Sequence, residues 1–307
     1  MPISFAFSTV ACPDWSIEKV VTQARAMGYD GVELRTLGEG STKLASDPAL
    51  SDPAKIRELF AASGVTPICL SSSCSLHDRD AGASKAIHYE VLKHLEFAAK
   101  IGVPRLRIFG RTVGRGETPS VVLQRIAARV LPLADKAGEL GIELLFENAG
   151  SFSVAKDWWR LFNLINHPMV GLAWNLATAA AVDPAERGGG MAVTMLHSRI
   201  KLVKVNDAKI GQAIGFTALG DGDMNVPLFL KKLRGIGYEG PLCVEWDRLW
   251  LPSLAPADEY LPDALARLKK WNAEIDVLMA QGRAAAAKTA NKKAPKTVAE
   301  LITVAAK

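Results

Sequence analysis

The chain has 307 residues, 49% hydrophobic and 22% charged, which supplies a large core and excludes wholesale disorder. Its formal charge of +5 suggests a nucleic-acid partner until it is located: six basic side chains and one acid lie beyond residue 280, so residues 1–280 are formally neutral and lack the basic footprint of a duplex-binding protein. The first residues carry no basic n-region, and no run approaches the roughly 20 apolar residues of a membrane span, so a cytoplasmic protein without membrane contact is expected.

Short β-branched or apolar runs alternate with longer helical patterns, the mark of a parallel sheet built from βα units. The first run is ISFAFS at 3–8, followed by a helix at 16–27 and DGVELR at 30–35. A second helix at 53–63 precedes TPICLS at 66–71, and a third at 84–101 precedes PRLRIFG at 104–110. The fourth helix, 119–140, leads into IELLFEN at 142–148. In the second half a helix at 154–166 precedes MVGLAWN at 169–175, and another at 191–198 precedes IKLVKVND at 200–207. A helix at 227–236, the strand PLCVEW at 241–246 and a closing helix at 258–280 complete the scheme. Eight βα units in a chain of this length predict one α/β domain closed into a (β/α)8 TIM barrel, a fold that commonly takes about 250 residues. No GxGxxG follows the first strand, which removes the main support for a dinucleotide-binding sheet. Cys12, Cys69, Cys74 and Cys243 form no CxxC pair and read as buried free thiols. From residue 281 the composition turns to Ala and Lys, with Pro295 interrupting any continuous helix. A barrel at 1–280 and a flexible or partly helical basic tail at 281–307 are therefore expected, adhesion of the tail to an acidic partner being the alternative.

In (β/α)8 enzymes the reacting groups project from the C-terminal strand ends. Here those ends read Ser8, Glu33 with Arg35, Ser71, Arg107, Glu147, Asn175, Lys204 with Asn206, and Glu245. A polar group late in an apolar strand is costly to bury without a partner or a task. Singly each has a structural explanation, such as a Glu33–Arg35 pair or a solvated Arg107, but polar residues ending every strand point to a site.

GYDGVELR at 28–35, IGVPRLRIFG at 101–110, LFEN at 145–148 and LGDGDMNVPLFLKKLRGIGYEGPLCVEW at 219–246 resemble the sugar phosphate isomerase/epimerase family. This is part of the xylose isomerase-like barrel superfamily, which also includes endonuclease IV, and the likeness spans about residues 3–275. The resemblance implies a metal site of Glu, Asp, His and Glu on strands five to eight. Glu147 and Glu245 match it. The strand-six position is Asn175, followed by Leu-Ala-Thr178 with no His, and the strand-seven His is Lys204 in the series Lys204-Val-Asn206-Asp207. A carboxamide is a poorer ligand than a carboxylate, and a charged ammonium has no lone pair. The simplest reading is that the Lys204 ammonium stands where the family holds its ion, so no metal and no other cofactor is expected.

The function expected is isomerase- or epimerase-like chemistry on a keto sugar or polyol-derived substrate. Glu147, Lys204 and Glu245 are the catalytic candidates, with Lys204 and Asn175 facing the developing enediolate. Glu33, His77, Arg107, Asn175, Asn206 and Asp207 are candidates for substrate binding. A neutral Lys204 would permit Schiff-base or lyase-like chemistry. The alternative is a non-catalytic barrel that binds a sugar or a partner. Homo-oligomer formation is left open. An endonuclease IV-like role needs a histidine-rich zinc cluster, and none of the five histidines ends a strand.

Overall fold

In a computed structural model that describes residues 3–38, 41–211 and 214–293, the eight apolar runs hydrogen-bond into one closed parallel barrel. Its strands are β1 (Phe5–Ser8), β2 (Gly31–Arg35), β3 (Thr66–Ser75), β4 (Arg105–Phe109), β5 (Glu143–Glu147), β6 (Val170–Asn175), β7 (Ile200–Val205) and, after a hairpin of β8 (Asp207–Ile210) and β9 (Ile214–Thr217), β10 (Leu242–Val244). Neighbours follow chain order, and the barrel closes where Phe5 and Phe7 of β1 stand beside Leu242 and Val244 of β10. The helices are α1 (Ile17–Met27), α2 (Pro53–Ser63), α3 (Ala81–Ile101), α4 (Pro119–Glu139), α5 (Ala155–Leu164), α6 (Leu176–Val182), α7 (Gly190–Leu196), α8 (Val226–Gly235) and α9 (Ala257–Lys293).

Local sequence explains the alternation. In α1 the buried residues are Ile17, Val20, Val21 and Ala24, one apolar stripe at helical spacing. Ser16 caps its start by accepting from the Lys19 amide, and Gly28 ends it at φ 84°, a left-handed turn that releases the chain into β2. Along the strands the period is two. Ala6, Cys69, Leu145, Ala173, Leu202 and Cys243 form a buried cluster of mostly small side chains. Side chains two residues apart share a strand face, so each of these residues places a polar one directly above it: Ser8, Ser71, Glu147, Asn175, Lys204 and Glu245. The apolar floor thereby fixes the height and direction of the polar layer.

Three details differ from the sequence reading. β3 runs on to Ser75 through the polar series Ser71–Ser73, because a register irregularity against β4 lets Ser72 donate to the Arg107 carbonyl at 3.0 Å. The β8–β9 hairpin follows β7 where only a strand end was expected. The last helix continues past residue 280 to Lys293, since nothing before Pro295 breaks it. The chain divides into two compact units, the first ending at Ala266 and carrying the barrel, the second beginning at Arg267 and consisting, in the described residues, of the rest of α9. Of the basic tail placed at 281–307, residues 294–307 lie outside the described residues. All four cysteines are free and buried. No helix among the described residues is long and apolar enough to cross a membrane.

Candidate active site

Lys204 is 1% exposed and stands at the centre of the polar layer. Its ammonium lies 2.7 Å from Glu245 Oε1, 3.0 Å from Glu147 Oε2 and 3.1 Å from Glu33 Oε1. The ammonium donates a hydrogen bond to Glu245 Oε1 and forms ion pairs with Glu147 and Glu33. Burial alone would depress the Lys204 pKa, but Glu147, Glu245 and Glu33 outweigh it and hold the amine charged, well above its ordinary range. A charged amine is a poor nucleophile, and a Schiff base at this position would first need the ammonium to lose a proton.

Asn175 braces the same two glutamates from the other side. Its Nδ2 donates to Glu245 Oε2 at 2.6 Å and to Glu147 Oε1 at 3.5 Å. The orientation of the amide is set by its oxygen, which accepts from the Thr178 backbone and caps α6. Both oxygens of Glu147 and both of Glu245 are therefore held by the pair Lys204 and Asn175. Arg107 adds a second cation to Glu147, its Nε 3.0 Å from Oε2 in an ion pair without hydrogen-bond alignment, while its Nη1 donates to the Ser72 carbonyl at 2.5 Å.

Above this layer opens a cavity of about 460 Å³, lined by Arg107, Glu147, Asn175 and Glu245 together with Arg35, Arg111 and Asp247. Burial pushes the Glu245 carboxyl up to about 8, with Lys204 pulling it down and Glu147 and Asp247 pushing it further up. Asp247, two residues on, is raised to about 6, first by burial, against the pull of Lys204. Glu33 goes the other way. Burial would raise it, but Lys204, Arg107 and the Ser71 hydroxyl hold it below the usual carboxylate range.

The residues expected at the site thus take different places. Glu147, Glu245, Asn175 and Arg107 converge on the cavity. Lys204 lies beneath it and is not among the lining residues, and its ammonium faces the carboxylates. Glu33 is fully buried, pairs with Lys204, and accepts from the Ser71 hydroxyl and the Cys243 thiol. Asn206 is buried and accepts from the Ala177 amide at 3.4 Å. Asp207 spends its carboxylate on the backbone amides of Ala208, Gly220, Gly222 and Met224, pinning the hairpin and the Gly-Asp-Gly loop. His77, on the loop after β3, is half-buried and does not line the cavity, and its carbonyl accepts from Arg125 at 2.6 Å. Arg35, Arg111 and Asp247 line the cavity without having been singled out as binding residues. Asp247 had one signal, its spacing of two from Glu245, whereas Arg111 lies beyond the strand and had none.

Elsewhere, Cys74, Glu90 and His94 present metal-type ligand atoms within 4.8 Å of one another. His94 Nδ1, however, lies 2.8 Å from the Glu90 carbonyl of its own helix, against 3.8 Å from Cys74 Sγ. Burial also pushes the Cys74 thiol up to about 11, and this set suits hydrogen bonding better than coordination.

A family model described as xylose isomerase-like TIM barrel matches residues 21–271. No curated protein matches by sequence. Among solved structures, a xylose isomerase-like TIM barrel/4-hydroxyphenylpyruvate dioxygenase fusion protein has TM-score 0.74 at 18% identity. The match covers 92% of this chain and 45% of the fusion protein, so the chain spans less than half of that relative. L-ribulose 3-epimerase has TM-score 0.74 at 14% identity over 96% of this chain and 100% of that one. The IOLI protein, solved with a bound zinc atom, has TM-score 0.73 at 16% identity over 89% and 98%. At such identities the likeness to these structures is one of fold.

Proposed function

As a member of the xylose isomerase-like TIM barrel family, the chain has, we propose, kept the family's proton-transfer chemistry on a keto sugar or polyol-derived substrate while replacing the divalent ion by the Lys204 ammonium. The observation that carries this reading is the position of Lys204 Nζ, 2.7–3.1 Å from three carboxylates. The donor set does not suit a divalent ion. A cation entering between Glu147 and Glu245 would meet the ammonium at ligand distance, and Asn175 offers them N–H donors, its oxygen being committed to the Thr178 amide.

The chemistry follows from what each group has left to give. Glu147 takes the proton from the carbon beside the substrate carbonyl, and the electron pair moves onto the carbonyl oxygen as an enediolate. The Arg107 guanidinium, which lines the cavity beside Glu147, balances that charge. Glu245, with its carboxyl near 8, exchanges protons close to neutral pH and returns one to the opposite face, giving an epimer, or to the neighbouring carbon, giving an isomer. Lys204 and Asn175 are positioning residues that hold the two carboxylates in register. The closed ring of ion pairs also favours a second reading, a barrel that binds a sugar without turning it over.

Ketoses incubated with the protein in D2O, with and without chelator, decide the matter. Exchange of the proton beside the carbonyl is expected to persist in chelator and to vanish in Glu147→Gln and Glu245→Gln. Binding without exchange supports the second reading. One tightly held divalent metal per chain, lost on substitution of Glu147 or Glu245, would sink the lysine-for-metal idea.

A further inference from the structure

The cavity is not evenly charged. Its acidic groups, Glu147, Glu245 and Asp247, come from β5 and the segment just after β10, whereas Arg35, Arg107 and Arg111 come from β2, β4 and the loop after β4. Of these arginines, Arg107 is ion-paired with Glu147. Among the described residues Arg35 and Arg111 have no carboxylate at ion-pair distance. Arg35 is buried and anchored, its Nη1 on the Thr36 and Ser71 carbonyls at 2.5 and 2.6 Å and its Nη2 on Ser73 Oγ at 2.6 Å.

Arg111 is exposed at the rim and differs from every other described non-glycine residue in having a positive φ, 68°. A left-handed arginine is unfavourable unless its surroundings hold it. Two contacts do so here. Its carbonyl accepts from the Ser151 amide at 2.8 Å, and Gly150 packs so closely that a Cβ there would stand 2.5 Å from the same oxygen. The result is a guanidinium 4.8 Å from the centre of the Phe109 ring, which also carries the Arg107 guanidinium at 4.2 Å. Two guanidinia are thus fixed over one aromatic ring, with the anchored third in the same cavity. Like charges gathered in this way repel, and the depression of the Arg35 pKa to about 10, by burial and then by Arg107, is one sign of it. A charge of opposite sign on a ligand relieves that repulsion.

We propose that the Arg35, Arg107 and Arg111 wall binds an anionic group, a carboxylate or a phosphoryl, on the substrate. The substrate is then a bipolar molecule, with its anionic end toward Arg35 and Arg111, its keto-polyol end against Glu147 and Glu245, and Arg107, which touches Glu147 and shares the Phe109 ring with Arg111, serving both ends. The inference rests on the polyol reading of the site given above, and adds that the polyol is acidic.

The test is calorimetric or NMR titration of the full chain with inorganic phosphate, D-gluconate, glucose 6-phosphate and, as the neutral control, D-sorbitol. The anionic probes are expected to bind at least about ten-fold more tightly than sorbitol and to weaken as salt is added. Tighter binding of the phosphorylated probes assigns the wall to a phosphoryl group, and tighter binding of gluconate assigns it to a carboxylate. Arg111→Asn tolerates the left-handed backbone and is expected to lose about ten-fold in anion affinity with sorbitol unchanged, and Arg111→Lys to lose less. The proposal is overturned if anions bind no better than sorbitol, or if Arg111→Asn folds and binds them as the wild type does. If that variant does not fold, the salt dependence of the wild type decides. Anion binding without proton exchange on any ketose leaves this inference standing and removes the catalytic one. Exchange on a neutral ketose without anion binding does the reverse.

Discussion

Replacing Lys204 by methionine keeps an unbranched side chain one atom shorter and removes its charge. Glu33, Glu147 and Glu245, each within 3.1 Å of the ammonium, would then face one another with Arg107 as the nearest remaining cation. Breaking a buried ion pair by removing one partner costs about 3–5 kcal/mol, because the other charge stays buried and uncompensated. For a barrel of this size each kcal/mol lowers the melting temperature by about 2 °C, so the expected fall is about 6–10 °C. The pH dependence identifies the cause. The Lys204 pKa is raised on folding, so its contribution is fully present below the unfolded value of 10.5 and is lost only as pH rises through the folded one. The wild-type amine therefore stays charged at both about pH 5 and about pH 7.5. In the variant the unneutralised carboxyls take up protons on acidification, so the deficit narrows toward about pH 5. Differential scanning calorimetry of both proteins at the two pH values measures this. A melting temperature within about 1 °C of wild type near pH 7.5, or an equal deficit at both pH values, would refute the role assigned to Lys204.

Three further outcomes are expected. Asp207→Ala strips the acceptor from four backbone amides and should cost about 2–4 kcal/mol in urea unfolding; a loss of turnover with unchanged stability would instead place Asp207 at the substrate. Because the Glu245 carboxyl is raised on folding to about 8, its burial penalty grows as pH rises from the unfolded value of 4.5 toward 8, and Glu245→Gln should flatten that fall in stability, read as melting temperature against pH. Deleting residues 281–307 should leave the melting temperature within about 2 °C of wild type, since residues 281–286 are exposed; a larger drop would show that the tail packs on something.

The barrel was legible because parallel strands announce themselves twice, once as apolar runs and again in the polar residue that ends each run. Leu145 with Glu147, Leu202 with Lys204 and Cys243 with Glu245 are spaced by two, and that spacing alone puts the second of each pair above the first. What the sequence hid is what barrel closure creates. Glu33 has Arg35 as its obvious neighbour along the chain, yet its partner is Lys204, brought across from β7 when the sheet closes. Asp207 reads as a site residue because it follows Lys204 by three, but strand alternation ends at Val205, and the next residues turn into a hairpin that needs an anchor. The role of Arg111 depends on one dihedral angle and on the approach of Gly150 from another loop, neither of which leaves a local pattern.

The hydrogen bond from Asn175 Nδ2 to Glu245 Oε2, at 2.6 Å, bears on how this site could change by single substitutions. Asn175→Asp alone would replace that N–H donor by an acceptor and leave a carboxyl proton as the only donor between the two oxygens. Lys204→His alone would withdraw the charge that three carboxylates share. Either substitution alone therefore unbalances the carboxylates, and the effects of the two are not expected to add. The amide and the ammonium form an interlocked pair that grips the same two glutamates.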